Sequence, residues 1–163
     1  MPDWITHLGL GWLVLEALRR KERRLHFLVG CILPDVEKVY VVAGFLTSPR
    51  FEALVQAFFE PTHTPLGALL LSVVSTVIFS LGEEENDFSR AVGWIFSGAM
   101  LHLALDLLIL VETSGGIKLL WPFSSKGFGI SLIPLGDWRP AAIVAPACLA
   151  TALLKRRWNR AET

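Results

Sequence analysis

Polar residues interrupt this chain at wide intervals and leave five apolar stretches, at about residues 4–18, 25–46, 66–81, 91–111 and 141–154. None alternates with the two-residue period of a strand, and Leu and Ala dominate, so each predicts a helix and the fold class is all-α. A bilayer crossing takes about 20 apolar residues, range about 17–25. The second and fourth stretches meet that length; the other three are short enough for tilted spans, half-buried helices or re-entrant pieces. The pattern predicts an integral membrane bundle of about four or five transmembrane or half-spanning helices, forming a single domain over residues 1–163. The first stretch does not read as a signal peptide, because its Arg/Lys cluster follows it rather than precedes it.

Composition agrees with a bilayer as solvent. The chain is 53% hydrophobic and 18% charged, with mean hydropathy +0.52, against about 25% charged in soluble domains. Disorder is excluded, since it needs low hydrophobicity and high net charge. Fifteen Lys+Arg balance fifteen Asp+Glu, which leaves no basic excess for a nucleic-acid partner. Cys31 and Cys148 both lie inside apolar runs, so no disulfide scaffold is implied and the redox compartment stays open.

The arrangement of charge says more than its sum. With five helices crossing alternately, one side collects Arg19, Arg20, Lys21, Arg23, Arg24, Arg90, Lys155, Arg156, Arg157 and Arg160. The other side collects only Arg50, Lys118, Lys126 and Arg139. The positive-inside rule places the basic ends in the cytoplasm of an inner, or plasma, membrane protein, with the N-terminus and the two long loops outside.

Ionisable groups inside apolar helices mark candidate functional sites, because a bilayer makes them costly. His102 and Asp106 stand four apart, on one helical face, and both offer ligands to zinc or a similar ion. Taken alone, the pair also reads as a hydrogen bond that satisfies two buried groups. Asp35 follows Pro34, which predicts a break in the second helix, and Glu37 and Lys38 come next. His63 lies ahead of the third helix, where Thr62 or Thr64 offers an N-cap. His7 precedes Gly9 and Gly11, small residues that permit close packing, while His26 borders the basic connector and reads as structural. Alternate crossing gathers His7, His63, His102, Asp35 and Asp106 toward one membrane face, the outer one. A metal site accounts for that convergence.

These pieces, in this order, resemble the YdjM-like membrane-bound metal-dependent hydrolases. The resemblance rests on His7, Leu33-Pro34-Asp35 with the acidic Glu37, Thr62-His63-Thr64, His102-x-x-x-Asp106 and Leu119-Leu120-Trp121-Pro122-Phe123-Ser124. Phe58 and Phe59 stand where the family commonly has a His-Arg pair. The family in turn is similar to zinc-dependent phospholipase C, an all-helical fold with a His/Asp-rich metal cluster. The resemblance implies one site of Asp35, His63, His102 and Asp106, holding one or two divalent ions, zinc first and manganese second. It also implies that His7 joins a second metal, that Asp106 bridges, and that Glu37 is an extra ligand.

A bound divalent ion lowers the pKa of its water to about 7 and polarises a phosphoryl oxygen. Glu37 or Glu60 would then accept the water proton as the catalytic carboxylate. Lys118, Ser124, Ser125 and Lys126 offer phosphate contacts, with Trp121, Phe123 and Phe128 as an interfacial belt or the mouth of a lipid cleft. Expectation therefore centres on a membrane-embedded hydrolase of a lipid or other amphipathic phosphoester. Two rivals stand beside it: a non-catalytic protein with a structural metal or an ion or proton pathway, and a module whose basic clusters bind anionic lipid.

Overall fold

The computed structural model describes residues 4–20, 22–36, 60–80, 87–109, 115–134 and 136–161. Five α-helices occur among them: α1 (Trp4–Ala17), α2 (Arg24–Ile32), α3 (Pro65–Ser80), α4 (Phe88–Asp106) and α5 (Arg139–Ala161). Two 3-10 turns, Leu33–Val36 and Glu60–His63, flank the segment between α2 and α3. Two isolated β-bridges are the only pairings among the described residues that resemble sheet. The all-α expectation holds.

Helix boundaries follow local chemistry. Pro34 has no N–H to donate, so the α-helical ladder of α2 tightens into a 3-10 turn. Leu33 itself keeps helical angles, so the missing donor, rather than restriction of the preceding residue, makes the break. Asp35 therefore sits in that turn, where the expected break falls. The remainder of the second apolar stretch, with Glu37 and Lys38, lies outside the described residues. Thr64 caps α3: its hydroxyl accepts from the Gly67 N–H at 3.0 Å and donates to the Pro61 carbonyl at 2.7 Å, with Pro65 at the first helical position. Asp87 caps α4. Asp137 accepts from the Arg139 N–H at 3.0 Å at the start of α5, and the Arg139 guanidinium holds its carboxyl below the ordinary carboxylate range.

One difference concerns length. The fifth stretch, expected to be short, becomes the longest helix among the described residues, because α5 continues through Lys155, Arg156 and Arg157 to Ala161. Lys155 is anchored there by the Glu16 carboxylate of α1 at 2.7 Å, and Glu16 also takes Arg24 of α2 at 2.7 Å. Among the described residues, α4 alone is both long and apolar enough to cross a bilayer, with the core of α3 apolar but shorter.

Packing centres on α4. Helix α2 lies along it, α3 packs on it from another side, and α1 joins α2 to α5. The α2–α4 crossing is main chain on main chain. A Cβ at Gly30 would strike the Ile95 carbonyl oxygen, and one at Gly98 would strike the Phe27 carbonyl oxygen and approach the Cys31 nitrogen. Gly9 lies under Val144 of α5, and Gly11 under Cys31 of α2. The apolar core is correspondingly small: Leu15, Phe27 and Cys31 form one cluster, and Ala68, Ala99, Leu103 and Ile117 another.

Helix α3 distributes its residues in an unusual way. Thr76 and Ser72 are buried and bond back to carbonyls four residues earlier, with Ser75 also buried. Leu70, Val74, Ile78 and Phe79 are exposed instead. After α4, residues 115–134 fold back on its C-terminal end: the Ile130 N–H donates to the Leu107 carbonyl at 2.6 Å and the Leu132 N–H to Leu108 at 2.8 Å. Ile117 and Phe128 exchange two backbone bonds across this loop.

Candidate metal centre

Helix α4 presents Gly98, His102 and Asp106 at four-residue intervals, so all three lie on one face. Gly98 brings α2 into backbone contact, and the same approach carries the Cys31 carbonyl within 2.7 Å of His102 Nδ1. A carbonyl only accepts, so Nδ1 carries the proton and Nε2 turns its lone pair inward. His63 is fixed in a similar way. The Thr62 hydroxyl donates its single hydrogen to the Pro34 carbonyl at 3.0 Å, so its oxygen accepts from His63 Nδ1–H at 3.1 Å. His63 Nε2 therefore also faces inward as a lone pair in the neutral ring. The break at Pro34 supplies both anchors, directly through Cys31 and by way of Thr62 through Pro34. Outer partners of this kind orient metal-ligating imidazoles.

The inward atoms converge. His63 Nε2 lies 3.2 Å from Asp35 Oδ1 and 3.9 Å from Asp106 Oδ2. His102 Nε2 lies 3.3 Å from Asp106 Oδ2 and 3.7 Å from Asp35 Oδ1. His7, from the first turns of α1, stacks on His102 with ring centroids 3.9 Å apart and places Nε2 3.5 Å from Asp106 Oδ1. Asp106 thus aims one oxygen at His7 and the other at His63 and His102.

Three observations test whether a divalent ion suits these residues. Both nitrogens of His7, Nε2 of His102 and both oxygens of Asp106 are buried with no hydrogen-bond partner, an arrangement that is costly unless something compensates it. Most of the separations exceed the 2.7–3.2 Å of an N–H···O bond. They scatter around the roughly 3.4 Å that separates two ligand atoms each about 2.0–2.1 Å from a tetrahedral zinc. Charge supplies the third: imidazoles bind metal as neutral rings, so in that state the two carboxylates leave two negative charges in a site where only His63 keeps appreciable exposure, and one divalent cation balances them. The ligand atoms of His7, Asp35 and His102 all lie within 4.8 Å of one another, as do those of His63, His102 and Asp106. The donor set fits a divalent metal.

The sequence profile described as YdjM inner membrane protein matches residues 1–162. The chain belongs to the YdjM family. No curated protein and no solved structure matches it, so the comparisons lend no support to the likeness to zinc-dependent phospholipase C.

Within this YdjM-family chain the structure brings together all five residues read as metal ligands: His7, Asp35, His63, His102 and Asp106. His26 stands apart, against Phe79 of α3. Glu37 lies outside the described residues, and Glu60 opens the 3-10 turn that ends in His63. Trp121, Ser124, Ser125 and Lys126 lie on the 115–134 loop. Lys126 engages within that loop, its backbone N–H on Ser124 Oγ at 3.2 Å and its ammonium over the Phe128 ring. Sequence reasoning missed the outer partners. Thr62 was legible only as a capping candidate, and a backbone carbonyl such as that of Cys31 leaves no trace in residue identity.

Proposed function

We infer that this chain is a membrane-embedded, metal-dependent hydrolase acting on a phosphoester of a lipid or other amphipathic substrate. The observation that carries the reading is the convergence of three imidazoles and two carboxylates, in which both nitrogens of His7, Nε2 of His102 and both oxygens of Asp106 are buried without hydrogen-bond partners. His7, Asp35, His63, His102 and Asp106 would hold one or two ions, zinc first and manganese second, with Asp106 as the bridging carboxylate. A single ion neutralises the site, and a second would need an anionic substrate group to offset its charge. When bound, such an ion supplies Lewis acidity, drawing the pKa of its water to about 7 and polarising a phosphoryl oxygen.

The chain's own residues take the remaining roles. Glu37, two residues beyond Asp35, or Glu60, three before His63, accepts the water proton. Lys118, Ser124, Ser125 and Lys126 bind the phosphate, and Trp121 shapes the mouth of the cleft. Attachment of this loop at Leu107 and Leu108, directly after Asp106, supports that assignment. The inverted α3 supports a single domain within the bilayer: its apolar side is exposed and its small polar side buried, which suits lipid outside and helix packing inside. Basic ends in the cytoplasm and the site toward the outer face complete the reading.

Metal analysis of the purified full chain tests it. At least one equivalent of zinc or manganese is expected, with loss in His102→Ala; no metal, or equal content in the variant, would sink the site. Release of phosphate or headgroup from short-chain phospholipids, with either ion added, tests the chemistry. One observation favours a second reading, a structural metal without turnover: the side chains of His7, Asp35 and His102 are 0% exposed.

A further inference from the structure

The end of the molecule away from the His/Asp cluster carries a second cleft. Glu16 lies nine residues beyond His7, about 13 Å farther along α1 at 1.5 Å per residue. Around it, the ends of α1 and α5 and the start of α2 frame two open, adjoining hollows of about 550 and 460 Å³. Arg19, Arg24, Lys155, Arg156 and Arg160 line them, against Glu16 as the one carboxylate. Glu16 positions two of the cations, Arg24 and Lys155, each at 2.7 Å. The hollows are strongly cationic and partly preorganised.

The surroundings are those of an amphiphile site rather than of a site for a free ion. Trp12 lines the first hollow and Trp158, largely exposed, the second. Such rings settle where one side is apolar and the other wet. Leu154 forms part of the second wall, and on the same face of α5 Ala150 and Ile143, four and eleven residues before it, are exposed. A basic hollow opening onto an apolar helix face matches a phosphate headgroup with acyl chains below. We propose that this cleft binds the headgroup of an anionic phospholipid, with Arg156 and Arg160 among the five cations that outnumber Glu16 in its lining. The site is separate from the His/Asp centre and does not depend on hydrolysis.

Binding to the detergent-solubilised full chain, read by tryptophan fluorescence with dioctanoyl phosphatidylglycerol, tests the proposal. Dioctanoyl phosphatidylcholine and inorganic phosphate are the comparison probes. Phosphatidylglycerol should bind about tenfold or more tightly than either, and Arg156→Gln/Arg160→Gln should remove most of that preference, as expected for two cations lost from a headgroup site. The double variant leaves the Glu16 ion pairs intact; should it not fold, the salt dependence of the wild-type affinity decides. Affinity should fall from about 0.05 to about 0.5 M NaCl, and a flat response overturns the proposal. Equal affinity for phosphatidylcholine overturns it too, as does an unaltered double variant. Inorganic phosphate binding as tightly as the lipid removes the lipid assignment. Binding abolished by a chelator would move the lipid to the metal centre and overturn this site.

Discussion

Replacing Thr62 by Val removes one hydroxyl and little volume, yet it cuts a two-bond relay. Wild-type Thr62 joins His63 Nδ1–H (3.1 Å) to the Pro34 carbonyl (3.0 Å). Without it, the imidazole loses the partner that fixes its tautomer, and the lone pair need no longer point at Asp35 and Asp106. Loss of an outer partner typically lowers metal affinity about 10- to 100-fold, or about 1.4–2.7 kcal/mol. His63 supplies one of five donors, and its Nε2 edge also faces Asp35 at 3.2 Å, so the lower end, about tenfold, is expected. Zinc competition against a chelating dye, on the detergent-solubilised full chain, reads this directly. Thr62→Ser keeps the hydroxyl and should stay within about threefold of wild type, well inside the range of an outer-partner loss. Affinity in Thr62→Val equal to wild type, or Ser as damaging as Val, refutes the relay. Thermal unfolding of the metal-free variants separates this effect from the about 1–3 kcal/mol that a stranded buried polar group costs in stability.

Three further outcomes follow from the same geometry. Gly98→Ala drives a Cβ into the Phe27 carbonyl and should destabilise the fold by about 1–3 kcal/mol, read as a lower melting temperature; an unchanged melt would show that α2 and α4 do not cross as described. Asp106→Asn should stay helical by circular dichroism while losing more metal affinity than the about hundredfold typical of an outer partner, with turnover lost alongside; full activity in this variant would remove Asp106 from the site. Chelation should lower the melting temperature, since zinc at about 100 times its Kd adds about 2.7 kcal/mol, and identical melts with and without metal count against the centre.

Much of the site was legible because its residues violate their surroundings. His102 and Asp106 stand out in an apolar helix, and four-residue spacing fixes their common face without any tertiary knowledge. Pro34 announced the break that ends α2, and Thr64, one of two capping candidates, the start of α3, because missing donors and caps act locally. The length of α5 was not legible: its hydropathy falls at Lys155, and only the Glu16 carboxylate of another helix explains the anchored basic turn. The α2–α4 crossing was hidden for a related reason. Gly30 and Gly98 are unremarkable singly, and their partnership exists only once two distant segments meet.

That crossing bears on how the sequence can change over generations. Where helices meet through side chains, a substitution on one is absorbed by repacking on the other. At Gly30 and Gly98 the partners are peptide groups, which have no alternative sizes to offer. Residues such as Val29 or Leu101 can drift among apolar types, while these two positions admit no larger neighbour. The centre's orientation is thus inherited from the backbone and insulated from ordinary variation in the core, with its vulnerability concentrated at two atoms' worth of missing side chain.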